Sequence, residues 1–315
     1  MSSRAKLGRL WCAKITLMSI PDFPNLKPLA IEDKPAFDEY FKNNFTSISE
    51  YTFTNIYIWR KLDNTELTMI NGNICMLVTA PDRKRYFMMP LGKNEMKDTL
   101  KKCISVSGSV VRLSQDFIDT FVSGDNDFLI EEDPDNFDYI YSSQDLVELK
   151  GRKYDAKRNH LNNLLKNHTF EYEQLNNSHL DQCIKLSEEW CREKKRESEA
   201  FPNLECEGEV VKEALMNCDL LEYKGAVIKI GGQIKAFSIG ERLNNDTAVI
   251  HIEKADPKIR GLSQLINKEF IKNEWAGIPF INREQDMGHL GLRKAKLSYH
   301  PIRMDKKYSV SLKTF

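Results

Sequence analysis

Two pairs of turn residues, about 160 positions apart, most constrain how this chain can fold. Asn71-Gly72 and Gly231-Gly232 each stand between two runs rich in β-branched and aliphatic residues. Such pairs predict two-residue β-hairpin turns, because both turn positions must accept a positive φ. Each predicted hairpin is preceded by a strand and helices and is followed by another strand and an amphipathic helix. The order of elements in the first half of the chain is therefore repeated in the second half.

This repeat predicts an α+β protein of two similar domains, each with a central, mostly antiparallel sheet flanked by helices. We place the N-terminal domain at residues 18–150 and the C-terminal domain, which carries the candidate site, at 151–315. Residues 1–17 are interpreted as a disordered or frayed arm. The alternative is that strand, helix, hairpin, strand, helix is a common α+β order that needs no duplication.

The charge and cysteine content exclude several classes of protein. The 315 residues contain 46 Lys and Arg and 46 Asp and Glu, so the formal net charge is zero, which excludes a uniformly basic nucleic-acid-binding protein. The seven cysteines are scattered without a Cys-x-x-Cys pair, which favours reduced thiols. No apolar run approaches the ~20 residues that span a bilayer, and the basic N-terminus lacks a signal-peptide cleavage pattern. We therefore expect a cytoplasmic protein, and no residue spacing predicts a bound metal.

Charge is concentrated at the predicted domain junction. Residues 125–148 contain nine acidic side chains and no basic one, whereas 150–168 contain six Lys or Arg and one Asp. A basic helix here, with Lys153, Lys157 and Arg158, is suited to nucleic acid or another anionic partner. The alternative is a solvated helix face that pairs with the acidic segment before it.

A second candidate site is the loop between a predicted strand and the helix that begins near residue 261. Lys258, Arg260, Gly261 and Ser263 lie where the helix opens. A helix N-terminus with a glycine for close backbone approach and two neighbouring cations is a natural phosphate site. On the strand before this loop, His251 and Glu253 alternate with isoleucines, so they share one face and are candidates for a general base. The alternative for His251 is a buried histidine with satisfied hydrogen bonds.

The run 280–301 is rich in charged side chains that suit acyl transfer. Arg293 and Lys296 are three apart on a predicted helix, so they share a face on which they could hold a phosphate or stabilise an oxyanion. We expect Lys296 to act in catalysis through its charge rather than as a base. Other members of the run are candidates for substrate binding, with the carboxylates suited to an ammonium group: Arg283, Glu284, Asp286 and Tyr299. The alternative is a structural network of ion pairs that closes the end of a sheet.

Two resemblances give these candidates a common context. The element order and the loop 258–263 resemble the GNAT acyltransferase fold, whose pyrophosphate loop reads Gln/Arg-x-x-Gly-x-Gly/Ala; Lys258, Gly261 and Ser263 fall on its three defined positions. The run 280–301, with Tyr141-Ser142 and the segment 150–159, resembles the DUF2156 family of bacterial proteins related to the C-terminal domain of phosphatidylglycerol lysyltransferase. This resemblance implies two tandem GNAT-like domains, similar to the Fem peptidoglycan aminoacyltransferases.

Three functions remain open from the sequence. The favoured one is a cytoplasmic aminoacyltransferase that takes its group from aminoacyl-tRNA, needs no cofactor, and delivers to a small-molecule or peptide amine. The second is an N-acyltransferase that binds acyl-CoA at Lys258, Arg260, Gly261 and Ser263. The third is a binding module whose GNAT-like site has lost its activity.

Overall fold

The computed structural model describes residues 20–44, 46–197 and 204–313, so the predicted arm 1–17 lies outside the described residues. Its strands are β1 (Lys27–Pro28), β2 (Glu66–Ile70), β3 (Asn73–Thr79), β4 (Arg85–Met88), β5 (Val110–Ser114), β6 (Phe128–Glu132), β7 (Asp138–Ser142), β8 (Glu171–Gln174), β9 (Lys224–Ile230), β10 (Gln233–Arg242), β11 (Thr247–Ala255), β12 (Phe280–Asn282), β13 (Arg303–Asp305) and β14 (Lys307–Leu312). Its α-helices are α1 (Lys34–Asn43), α2 (Phe53–Trp59), α3 (Met96–Ser107), α4 (Gln115–Phe117), α5 (Ser143–Glu148), α6 (Asp155–Asn167), α7 (Leu180–Glu197), α8 (Leu204–Met216), α9 (Cys218–Leu221), α10 (Leu262–Glu274) and α11 (Leu290–Leu297).

Both predicted hairpins are present with the predicted turns. Asn71 and Gly72 have φ values of 52° and 75° between β2 and β3. Gly231 and Gly232 have φ values of 59° and 74° between β9 and β10. All four residues adopt the left-handed conformation that a tight two-residue hairpin turn requires.

The strands form two seven-stranded sheets with the same internal order. The first sheet runs β1-β2-β3-β4-β5-β14-β6, and the second runs β8-β9-β10-β11-β12-β7-β13. In each sheet the fourth and fifth strands are parallel and are joined by one long helix, α3 or α10, while the other neighbours are antiparallel. The prediction of a duplicated unit with a mostly antiparallel sheet is confirmed.

The two sheets exchange one strand each. The sixth position of the first sheet is filled by β14, from the C-terminal half, and the sixth position of the second sheet is filled by β7, from the N-terminal half. The predicted boundary at residue 150 therefore does not coincide with the division between the sheets. The local sequence could not predict the exchange, because the hydrophobic pattern of a strand shows which of its faces is buried but not which strands it will pair with.

A buried ion pair lies where the exchanged strands begin. Lys307, the first residue of β14, places its Nζ 2.7 Å from Oδ1 of Asp138, the first residue of β7, and 2.6 Å from Oε2 of Glu50. Asp138 also accepts hydrogen bonds from the backbone N–H of Ser49 at 2.7 Å and from Asn282 at 2.9 Å. Asp138 and Lys307 are fully buried. Charged groups from the two sheets thus neutralise each other where the exchanged strands begin.

The hydrophobic core is continuous between the domains. Its larger part contains Leu77 and Phe87 from the first sheet, Val211 from α8 and Phe237 from the second sheet. A second part packs the second sheet against α5, α6 and α10 around Phe270. The two sheets are therefore held together by apolar packing as well as by the exchanged strands.

Candidate active site

The candidate site lies where two parallel strands of the second sheet separate. β11 and β12 pair over three residues, from Thr247–Phe280 to Val249–Asn282. β11 then continues to Ala255 without β12 beside it. Side chains, rather than backbone hydrogen bonds, bridge the resulting gap: His251 and Glu253 from β11 meet Glu284 and Arg283 from the segment after β12.

Arg283 is held between a carboxylate and two tyrosines. One of its terminal nitrogens lies 3.1 Å from Glu253 Oε1, and Asn267 of α10 donates to the other oxygen of Glu253 at 3.0 Å. The centre of the guanidinium lies 4.8 Å from the centre of the Tyr299 ring and 5.8 Å from that of Tyr141. Burial alone would lower the pKa of Arg283, but Glu253 and the tyrosines raise it. With both oxygens of Glu253 occupied, the geometry gives it a role in positioning Arg283 rather than that of a free base.

His251 is bound to a carboxylate at each ring nitrogen. Its Nδ1 lies 2.8 Å from Glu284 and its Nε2 lies 2.9 Å from Glu241. Burial lowers the pKa of His251, but the hydrogen bonds to the two carboxylates outweigh this effect and raise the pKa to about 9. At neutral pH the ring is therefore an imidazolium, and the geometry argues against the predicted role of general base.

Glu284 contacts a residue of the N-terminal domain. Asn55 of α2 donates to Glu284 at 3.0 Å, on the same oxygen that contacts His251. Glu284 has a φ of 57°, a left-handed conformation that is strained for a residue other than glycine. The surrounding hydrogen bonds hold this conformation, so the site depends on both domains.

Lys296 of α11 contacts the backbone of Arg283 and Glu284, in the segment after β12. Its Nζ donates to the backbone carbonyls of Arg283 and Glu284, with 3.1 Å to the latter. Burial, followed by the positive charge of Arg283, lowers the pKa of Lys296 to about 8. The neighbour that disfavours the Lys296 charge is thus Arg283; Arg293 is neutralised by Asp286, and Lys294 is exposed.

Arg293 and Asp286 form an ion pair at one side of the site. Arg293 Nε lies 2.8 Å from Asp286, and a terminal nitrogen of Arg293 lies 2.7 Å from Asp135. The Tyr139 hydroxyl also donates to Asp286. Burial opposes ionisation of Asp286, but these hydrogen bonds lower its pKa overall. Asp286 is therefore occupied inside the protein, whereas His251 and Asn55 both contact a single oxygen of Glu284, Oε1. A substrate-binding role for Glu284 stays a prediction.

The three cations predicted at the domain junction are divided between two roles. Arg158 donates to the carbonyls of Leu149 and Gly151 and to Asp155, so it caps the end of α5. Lys153 lies 2.9 Å from Asp145, within the acidic segment. Lys157 instead points to the candidate site, where its Nζ lies 4.2 Å from the centre of the Tyr299 ring.

The loop predicted to bind phosphate is packed against α6. A Cβ on Gly261, whose φ is 97°, would lie 2.4 Å from the backbone oxygen of His160. Arg260 contacts the His160 ring at 2.9 Å. Lys258 pairs with Glu193 at 2.6 Å, and Ser263 lies in the first turn of α10. Gly261 is thus explained by the close approach of two helices.

Residues 44–311 match the family described as phosphatidylglycerol lysyltransferase, C-terminal. The chain belongs to this family. The family resemblance seen in the sequence is thereby confirmed. A lysyltransferase moves an aminoacyl group, so the chain is a member of an aminoacyltransferase family. Its fold consists of two similar α+β units, each with a mostly antiparallel seven-stranded sheet, as the order of elements predicts.

The chain is similar to individual proteins in fold, in sequence or in both. A conserved protein of unknown function from Bacteroides thetaiotaomicron is 30% identical, with a TM-score of 0.80, and the match covers 91% of this chain and 99% of that one. The C-terminal domain of a putative lysylphosphatidylglycerol synthetase from Agrobacterium fabrum is 15% identical, with a TM-score of 0.60 and coverage of 89% and 91%. An uncharacterized protein of Mycoplasmoides gallisepticum is 26% identical over 186 residues, which are 58% of this chain and 58% of that relative.

Several residues of the site were not found from the sequence. Asn55 comes from the other domain, Glu241 from the neighbouring strand, and Asn267 from the helix after β11. Only the alternation around His251 hinted at partners from β10. Within the described ranges, no group of three or more His, Cys, Asp or Glu side chains could hold a metal ion, and no helix is long and apolar enough to cross a membrane.

Proposed function

We propose that this chain is an aminoacyltransferase that takes an ester-linked aminoacyl group from aminoacyl-tRNA and delivers it to an amine. The observation that carries the proposal is the Lys296 ammonium, with a pKa lowered to about 8, held beside Arg283 where β11 and β12 separate. Family membership supports the transfer of an aminoacyl group. Since charged tRNA is present in the cytoplasm, the proposal locates the reaction there.

The chemistry follows from the two cations. The acceptor nitrogen attacks the ester carbonyl, a C–N bond forms, and negative charge develops on the carbonyl oxygen. The Lys296 ammonium stabilises this charge. As the C–O bond breaks, the proton released by the acceptor nitrogen passes to the departing ester oxygen. With a pKa of about 8, Lys296 is mostly protonated at neutral pH and so carries the charge that this role requires.

The packing at Gly261 supports a donor other than acyl-CoA. Gly261, which the GNAT resemblance assigns to pyrophosphate binding, lies so close to α6 that a Cβ there would be 2.4 Å from the His160 carbonyl oxygen. A carbonyl oxygen repels a phosphate oxygen, whereas a phosphate site needs free N–H donors. The proposed enzyme therefore needs no cofactor, and CoA-dependent transfer is the alternative that the experiment must separate.

Side-by-side transfer assays test the proposal. Purified protein is supplied with labelled aminoacyl-tRNA or labelled acetyl-CoA and a panel of small-molecule and peptide amines. We expect transfer from tRNA alone, and a loss of roughly a hundredfold or more in Lys296→Met. Lys294→Met is the matched control, since Lys294 is the exposed lysine of the same helix. Transfer from acetyl-CoA alone, or full activity in Lys296→Met, would contradict the proposal.

A further inference from the structure

Three cations converge at the candidate site with a single ion-pair partner. Lys157 Nζ and the Arg283 guanidinium lie 4.2 and 4.8 Å from the centre of the Tyr299 ring, and Lys296 binds the carbonyl of Arg283. In the described part of the chain, the ion pair made by these three cations is that of Arg283 with Glu253. Lys157 and Lys296 therefore have no carboxylate within ion-pair distance among the described residues.

Arg283 has an unused donor at this point. Its second terminal nitrogen is buried and has no hydrogen-bond partner among the described residues. Lys157 makes its hydrogen bond to the hydroxyl of Ser298, at 2.6 Å, which is a neutral group. Burial and the charge of Arg283 lower the pKa of Lys157 as well as that of Lys296. Buried donors and charges without partners are costly, and a bound anion would satisfy all of them.

The form of the cluster indicates the size of the anion. Lys153 and Arg158, the other cations of the junction, are occupied by Asp145 and by backbone carbonyls. Lys157 and Arg283, which come from different elements and contact the same Tyr299 ring, are thus a pair rather than a row of cations along one helix. A row would follow a nucleic-acid backbone, whereas a guanidinium beside one ammonium matches a single group with two or three oxygens.

We propose that Lys157 and Arg283, placed against Tyr299, bind one oxyanion group of the substrate, a phosphate or a carboxylate. Calling this ligand a substrate rests on the proposed aminoacyl transfer, but the anion site itself does not. Bound there, the group lies beside Lys296 and anchors one end of the reacting molecule. The anion comes either from the terminal nucleotide of the donor or from the acceptor.

Calorimetric titration with inorganic phosphate at low ionic strength tests the site without any turnover. We expect Lys157→Met to weaken phosphate binding at least tenfold, because the ammonium is lost while most of the stem remains. Lys153→Met is the matched control and keeps the wild-type affinity. Arg283→Lys retains the charge but not the two-pronged donor, and we expect it to bind phosphate more weakly than the wild type. Equal phosphate affinity in the wild type and Lys157→Met, or equal losses in the Lys157 and Lys153 variants, would overturn the proposal.

Two further ligands identify the source of the anion. Adenosine 5′-monophosphate represents the terminal nucleotide of tRNA, and O-phosphoethanolamine represents an acceptor amine that bears a phosphate. Tighter binding of either ligand than of inorganic phosphate, lost in Lys157→Met, supports the site and assigns its source. Binding of both no tighter than that of chloride would overturn it. If phosphate binds as expected but no aminoacyl transfer is found, the proposed function fails and the anion site stands.

Discussion

Replacing Lys296 by Met should leave the stability of the protein at pH 7 almost unchanged. Its pKa falls from the ordinary 10.5 to about 8, so the buried ammonium costs about 3 kcal/mol of folding free energy. Met removes this cost and keeps most of the packing of the stem. It also removes a donor from the carbonyls of Arg283 and Glu284, but the Tyr139 N–H still donates to the latter at 3.2 Å, so the loss concerns one unpaired carbonyl, at about 1–3 kcal/mol. The two effects oppose each other, and we expect a net change within about 2 kcal/mol.

The pH dependence separates these contributions. Native Lys296 releases its proton near pH 8, whereas the unfolded chain releases it near 10.5. Between these values the unfolded state binds more protons, so the stability of the wild type rises with pH. From pH 7 to pH 9.5 this gain amounts to about 2 kcal/mol, and Lys296→Met should lack it. Urea unfolding of both proteins at several pH values measures the difference, from which titrations common to both proteins cancel.

Two results would refute this reasoning. A difference between the two proteins that stays constant from pH 7 to pH 9.5 would mean that the Lys296 ammonium is not desolvated. A loss above about 4 kcal/mol at pH 7 would mean that the lysine is mainly a structural support, as in the loss of one partner from a buried ion pair.

Three further predictions follow from the site and its supports. The His251 ring should remain doubly protonated at pH 7.5 and titrate near pH 9 in ¹⁵N NMR spectra, and a neutral ring at pH 7.5 would contradict the double ion pair. The stability that the charged ring contributes is complete below about pH 6.5 and is lost as the pH rises through 9. Gly261→Ala should destabilise the protein by at least about 2 kcal/mol in urea unfolding, and by more than Gly277→Ala, because both glycines have positive φ but only the first lies against another backbone. Lys307→Met should cost about 3–5 kcal/mol by leaving Asp138 buried and unpaired, and a loss below 1 kcal/mol would show that water reaches the pair.

The parts of the fold that depend on local sequence were predictable. Asn71-Gly72 and Gly231-Gly232 determine their hairpins through backbone preferences that act over two residues. The predicted helix that carries Arg293 and Lys296 occurs as α11. Such elements need no information from distant parts of the chain.

The strand exchange and the site partners depend on distant residues. Asp138 and Lys307 are 169 positions apart, and Asn55 and Glu284 are 229 positions apart. No periodicity or turn signal reports such pairs, because their energy comes from burial after the domains meet. Arg158 illustrates the same difficulty within one region: its charge suggested an external partner, but nearby carbonyls occupy it.

The exchange of β7 and β14 also constrains when each sheet can be completed during synthesis of the chain. Chains generally fold from the N-terminus as they leave the ribosome. Here the gap between β5 and β6 is filled by residues 307–312, so the first sheet remains incomplete until these residues have been made. During that time two strand edges lie open to pairing with other nascent chains. The two domains therefore complete their folding together. We expect chaperones to bind the newly made N-terminal half until β14 has been synthesised.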